Sequence, residues 1–401
     1  MSAPLPPSSR VYFLDAARAV MLLLGIPFHV SEIYRVSNGY SIDSPDASYL
    51  ASAISAAVHV FRMPAFFILS GFFAAMLLQK GTPESWMKGR TWKLGIPLVA
   101  TTLLLGWFEN SIALYHQDGI SWSSAWALAT DAPISEWVHH RWFLVTLLMY
   151  CGTFALLHPR LAVSAAASQD RSGNSLIAKV GILVGLMLAP FLAIVAGKVA
   201  GEWFWIAPTL KQYANLYVKY LPFFAIGYWT FSTRRSFEGL LHIKRWELPI
   251  AALALLSYFV TYFAFYPDGP SGSSAVDRIF TLVRISVECL AGFYAAKFFY
   301  VAMRLILNRR SRTVSYFVEA SFCIYLVHEV FLLAFGGALL DIGLDPYIEM
   351  ALICGGTVIG SVVVFEIVRR STLLSVLFNG GPVPKLRPAG NQGLGAAEAK
   401  A

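Results

Sequence analysis

Arg18 and His29 stand eleven residues apart in an otherwise apolar run. At 3.6 residues per turn that spacing returns to nearly the same helix face, about 16 Å further along. Asp15 lies one turn before Arg18 and Glu32 one turn after His29, so the four make a polar stripe. Gly25 shares the face, and Pro27 loosens the backbone just before His29. A second apolar run carries Ser55, His59, Arg62, Phe66 and Ser70 at four-three-four-four spacing, again one face. A later run carries Ser321, Tyr325 and His328 in the same way. Imidazole exchanges a proton near neutral pH and guanidinium holds an anion, so these stripes suit acid–base chemistry on an anionic substrate. They also suit an ion relay, and Asp15–Arg18 and His29–Glu32 can equally be local pairs that neutralise each other. Arg284 and Glu288, four apart, read as a neutralising brace.

These groups need a solvent that makes them unusual. The chain has 401 residues, 57% hydrophobic, 14% aromatic and 13% charged, with a mean hydropathy of +0.60. A soluble globule cannot hide that much apolar surface, so lipid is the second solvent. A soluble enzyme, a disordered chain and a disulfide-stapled module are excluded. The net charge of +8 is explained by loops that orient a membrane protein and needs no nucleic acid. Cys151, Cys289, Cys323 and Cys354 fall inside apolar runs without metal-ligand spacing, so neither a disulfide framework nor a metal site is expected.

Ten stretches are long enough to cross a bilayer, near 12–34, 53–78, 94–115, 142–158, 176–200, 213–232, 247–266, 279–303, 314–338 and 347–369. The expected fold is therefore all-α: a polytopic integral membrane protein of about ten transmembrane helices. The first stretch has no cleavage signature after it and reads as a retained helix. Alternate loops hold the basic residues, among them Lys80, Lys88, Arg90 and Lys93, then Arg234 and Arg235, then Arg309, Arg310 and Arg312. The intervening loops are acidic, with Asp43, Asp118, Asp268 and Asp341. The positive-inside rule then puts both termini in the cytoplasm and His29, His59 and His328 toward the outer face. A transmembrane domain over 1–379 is followed by a Gly, Pro and Ala rich tail, 380–401, expected to be disordered. Segment 116–141 is polar and carries Trp122, Trp126 and Trp137; with Trp142 they suit either sugar stacking or interfacial anchoring. No internal repeat is visible, which disfavours transporter folds built from inverted halves.

Four segments together resemble the acyltransferase-3 family of integral membrane enzymes. LDAARAVMLLLGIPFH gives Arg18, ten residues, then His29. FRMPAFFILSGFF (61–73), HRWFL (140–144) and SFCIYLVHEVF (321–331) follow in the family's order. Within the family, the first helix is similar to members that succinylate osmoregulated periplasmic glucans. The resemblance implies a bacterial inner-membrane O-acyltransferase taking a succinyl group from succinyl-CoA, a co-substrate and not a resident cofactor, to a glucan hydroxyl. It implies His29 as the base, with Arg18 and Glu32 beside it; an acyl-His intermediate is the variant. His59, Arg62, His139, His140, Arg141, Trp142, Tyr325 and His328 are then the substrate-binding candidates, with Arg62 facing the succinyl carboxylate. Lys88, Arg90, Lys93 and Ser70 are the CoA candidates. The family's Arg-x-x-Arg pattern here reads Arg90–Lys93, which keeps the charge but loses one bidentate fork. Partners implied are the acyl-CoA donor, the periplasmic glucan, the lipid bilayer and other glucan-biosynthesis proteins.

Overall fold

The computed structural model describes residues 12–37, 39–168, 185, 208–232, 239–264, 275–309 and 311–381. Among these the regular elements are helices, with no strand. Eight are long and apolar enough to cross a membrane. The first is a broken pair, α1 (Tyr12–Leu23) and α2 (Gly25–Ile33). Then come α3 (Tyr49–Leu78) and α4 (Pro83–Gln117), followed by a short surface helix, α5 (Trp122–Asp131). A 3-10 segment, Ile134–Arg141, runs into α6 (Trp142–Ser168). After it stand α7 (Pro208–Ser232), α8 (Glu247–Ala264), α9 (Ala275–Leu307), α10 (Arg312–Leu340), α11 (Pro346–Val368) and the short α12 (Thr372–Asn379). Of the ten expected spans, the stretch 213–232 lies within α7, which is not among the eight; 176–200 falls outside the described residues except for residue 185. Large aliphatic side chains are left open on the outer helices, such as Leu156 (83% exposed) and Leu305 (79%), as lipid-facing positions require.

Local chemistry explains how the helices meet. Pro27 has no N–H to give Leu23, so the ladder is interrupted and a turn forms at Leu24. Bonds from Leu24 to Val20 (2.8 Å) and from Phe28 to Leu24 (3.2 Å) keep α2 running on from α1. Close approach of α3 and α7 depends on two glycines. A Cβ on Gly71 would strike the Phe224 carbonyl, and one on Gly227 would strike the Ile68 carbonyl. Small residues at such crossings let backbones touch where no hydrophobic drive exists between helices. Phe66, Phe67, Phe143, Tyr150, Tyr220 and Phe224 fill the space beside them with edge and tilted ring contacts.

Helix α4 is irregular, with π-helical turns at Thr91–Gly95 and Thr102–Gly106. The second turn packs on the 3-10 segment, where a Cβ on Gly106 would collide with the Trp137 backbone. There the chain is strained: His139 adopts φ 43° and ψ −133°, a conformation that non-glycine residues avoid. What holds it is a bidentate ion pair, Arg141 Nη1 to Glu109 Oε2 at 2.8 Å and Nη2 to Oε1 at 2.5 Å. Both side chains are wholly buried, and Arg141 donates further to the carbonyls of Trp137 and Leu326, each at 3.3 Å. At the far end of α2, the loop 34–48 is pinned by Ser44 N to Ile33 O and Ser48 N to Tyr34 O, both 2.8 Å. Tyr34 in turn donates to Glu349 of α11 at 2.8 Å.

Two substitutions test this framework by thermal melting in detergent. Glu109→Gln leaves the Arg141 charge uncompensated and lowers stability by about 3–5 kcal/mol. Gly227→Ala forces α3 and α7 apart and costs about 1–3 kcal/mol, as overpacking does.

Candidate active site

Helices α2, α3 and α10 and the 3-10 segment deliver cationic and imidazole groups to a common point. His29 comes from α2, just beyond the break that Pro27 imposes. Arg62 comes from α3, with its guanidinium 4.5 Å over the Phe28 ring. A Cβ added at Gly25 would lie 3.1 Å from Arg62 Nη1 and 3.6 Å from His328 Nε2, so Gly25 makes the room that these two share. The turn at His139 sends His140 inward, where it is locked to α10 by a reciprocal pair. His140 Nε2 meets the Tyr325 carbonyl at 3.0 Å, and the Tyr325 hydroxyl donates to the His140 carbonyl at 2.7 Å.

The result is a cluster of three imidazoles. Ring centroids of His29 and His328 are 5.4 Å apart, those of His140 and His328 4.7 Å, and those of His29 and His140 6.1 Å. Beside them is a cavity of about 120 Å³ lined by His29, His59, Arg62, His140, Trp142 and Tyr325 among others. Trp142 stacks on Tyr220 at 5.9 Å, giving that wall a flat aromatic face. His29, His328 and Glu329 bring their ligand-capable atoms within 4.8 Å of one another, and they form the described group able to hold a metal ion. The loop residue Tyr40 closes the cluster, its hydroxyl 3.1 Å from His29 Nδ1 and hydrogen-bonded to Glu329 Oε1. Burial and the Glu329 charge push the Tyr40 phenol above its ordinary value, so it keeps its proton.

Seven of the expected residues thus converge: His29, His59, Arg62, His140, Trp142, Tyr325 and His328. Others do not. Glu32, expected to orient His29, bonds Arg35 at 2.8 Å and the Ser55 hydroxyl, because its side chain turns toward α3 and away from the ring. Arg141 offers no free fork to a substrate, since Glu109 and the Trp137 and Leu326 carbonyls take both of its Nη groups. His139 meets the Gly106 carbonyl at 3.3 Å and likewise supports the turn instead of lining the cavity. Glu288 pairs with Lys219 (2.6 Å) and His59 (3.4 Å), in place of the expected brace with Arg284. Trp122 and Trp126 sit half-exposed on α5, edge-on to Phe108 and Trp107 and away from the cavity. Trp137 donates to the Ala129 carbonyl at 3.0 Å.

Arg18 stands at the other end of the first helix, near enough to Arg90 for their charges to repel. Arg90 lies 5.8 Å over the Trp86 ring, while Lys88 and Lys93 are exposed. Ser70 is half-buried on α3, two turns past Arg62 toward that end. Helix α12 closes beside it, ending at Gly380 with φ 70°, where the chain lies so close to the Lys93 carbonyl that no Cβ would fit.

Three participants escaped the sequence reading. Glu329 adjoins His328 inside an apolar span and Glu109 sits in another, so the cost of a buried carboxylate could have flagged both. Tyr40 lies in a loop, and nothing in its sequence context marks it.

Comparison with known proteins gives the family. A family profile described as an acyltransferase domain, acyltransferase 3, matches residues 11–366. Glucans biosynthesis protein C of Escherichia coli O81 (strain ED1a) is 29% identical over 394 residues, covering 94% of this chain and 97% of that protein. The K12 protein of the same name gives the same identity and coverage. No solved structure matches. The matched residues take in every helix that contributes to the imidazole cluster, and the chain belongs to the acyltransferase-3 family of membrane acyltransferases.

Proposed function

We propose that this protein transfers a succinyl group from succinyl-CoA to a hydroxyl of a periplasmic glucan, with His29 as general base. The observation that carries the reading is the pocket where His29 and Arg62 meet beneath His140 and His328, built from the segments that resemble the family's motifs. His29 takes the hydroxyl proton as the oxygen attacks the thioester carbonyl. The tetrahedral adduct then collapses, the C–S bond breaks, and the CoA thiolate receives the proton.

Two features of the pocket support this donor. A cavity of about 120 Å³ has room for a short acyl group. Arg62 supplies the cation that a buried succinyl carboxylate needs. The CoA nucleotide is placed at the opposite end, against Lys88, Arg90 and Lys93, with Ser70 and Arg18 along the way. The pantetheine arm spans the ~16 Å between Arg18 and His29. On this reading the Arg90 end and both termini are cytoplasmic, and the imidazole end opens toward the periplasm of a bacterial inner membrane. Trp142 and Tyr220 offer the stacking face for sugar, and other glucan-biosynthesis proteins supply the acceptor.

Purified protein incubated with labelled succinyl-CoA and glucan should form a succinyl ester. His29→Ala should lower that rate by about 10²- to 10⁴-fold, the usual contribution of a positioned base. Label recovered on His29 after rapid quenching would replace direct attack by an acyl-enzyme route. Arg62→Ala should abolish the preference for succinyl-CoA over acetyl-CoA while leaving acetyl transfer measurable; an unchanged preference removes Arg62 from donor selection. Glucan crossing a vesicle membrane without esterification would point to export.

A further inference from the structure

We propose that Tyr40 and Glu329 are positioning residues that fix the tautomer of His29, leaving its Nε2 lone pair free to take the substrate proton. The proposal rests on the reading of His29 as the base.

A phenol has one proton to give. Tyr40 donates it to Glu329 Oε1, so the atom that faces His29 Nδ1 at 3.1 Å is a hydroxyl lone pair. Two lone pairs do not bond, and Nδ1 must therefore carry the hydrogen, which leaves Nε2 bare. The direction of that bond depends on what else Glu329 can accept from. His328 Nδ1 lies 2.7 Å and His140 Nε2 3.0 Å from the same Tyr325 carbonyl, so each ring spends its N–H there. Their other nitrogens, His328 Nε2 and His140 Nδ1, are lone pairs lying 3.8 and 3.9 Å from Glu329 Oε2. Those three atoms are buried and without a hydrogen-bond partner. Among the described residues, Tyr40 is accordingly the donor that Glu329 has. Ionised Glu329 is the fixed acceptor, Tyr40 the adaptor, and the orientation of the adaptor sets His29.

The loop geometry keeps this adaptor in place. Asp43 accepts from the backbone N–H groups of Gly39 (2.8 Å) and Tyr40 (3.2 Å), while Ser44 and Ser48 tie the loop to the end of α2. During transfer the hydroxyl proton goes to His29 Nε2 and then to the thiolate; the Nδ1 and Tyr40 protons stay where they are. Tyr40 and Glu329 hold the ring in register and stabilise the transient imidazolium, as the carboxylate of a hydrolase triad does.

Steady-state transfer from succinyl-CoA to glucan is measured for the unaltered protein, Tyr40→Phe, Glu329→Leu, Glu329→Gln, the Tyr40→Phe/Glu329→Leu pair and His29→Ala, with melting of each in detergent. Tyr40→Phe should lower kcat about 10- to 100-fold with KM within about twofold. Glu329→Leu should do the same, and the double variant should be no worse than either single one, because both remove one chain of contacts. Glu329→Gln should recover most of the loss, since its amide oxygen accepts from Tyr40 while its NH2 meets the lone pairs of His140 and His328. Wild-type kcat in Tyr40→Phe, or losses that multiply in the double variant, would overturn the proposal while leaving the base reading intact. If instead His29→Ala transfers normally, or the unaltered protein transfers nothing, the base reading falls and takes this one with it. Should Glu329→Leu fail to melt cooperatively, Tyr40→Phe and Glu329→Gln still decide the matter.

Discussion

The ion pair between Arg141 and Glu109 is the interaction on which the site depends. Two full charges lie wholly buried, and neither has another charge of opposite sign bonded to it. Their pairing stabilises the turn at His139, which no local preference would choose. That turn directs His140 into the bundle, and His140 and Tyr325 then lock the segment before α6 to α10. Removing the pair therefore acts on chemistry at a distance, through a backbone conformation and not through any contact with substrate.

Around that anchor the protein solves a packing problem of acceptors. One backbone carbonyl, that of Tyr325, lies within hydrogen-bond distance of two imidazoles at once. With Tyr40 against His29, this arrangement gives each of the three buried rings a polar partner, which a low-dielectric interior requires. Charge is concentrated on Arg62, whose neighbours are an aromatic face and the cavity. A site with one dominant cation and several lone pairs is suited to a substrate that brings an anion and a hydroxyl together.

Helical spacing revealed much of this, and the limits of that spacing explain the rest. His29, His59, Arg62, Tyr325 and His328 could be grouped because residues on one face of a helix can be counted from sequence alone. Eight of the ten expected spans also emerged among the described residues, since apolar length is a property of the chain itself. Partnership across helices was not legible: Glu32 bonded Ser55 of α3 and took its other i,i+3 neighbour, Arg35, instead of His29, and Glu288 reached Lys219 of α7 although the i,i+4 rule favoured Arg284. Arg141 read as a substrate ligand because its partner, Glu109, is 32 residues away on another helix. Tyr40 shows the same limit most plainly, as a loop residue acquires its role only from where the loop is tied down.

The two π-helical turns of α4 carry a consequence for how this fold can vary. Each π turn takes in one residue more than an α-helical turn, and at 3.6 residues per turn a single residue rotates everything beyond it by about 100°. Between the basic end at Lys88 and the buried end at Glu109 there are two such turns. The helix therefore faces its two charged groups in directions that a regular α-helix of the same length would not give. Glu109 meets Arg141 because of a register offset, not because of a residue type at a favoured position. The π turn at 102–106 is thus as necessary to the Glu109–Arg141 pair as the identity of either charged residue. Converting that turn to α-helical geometry without removing a residue would leave every side chain present and rotate Glu109 by about 100° away from Arg141.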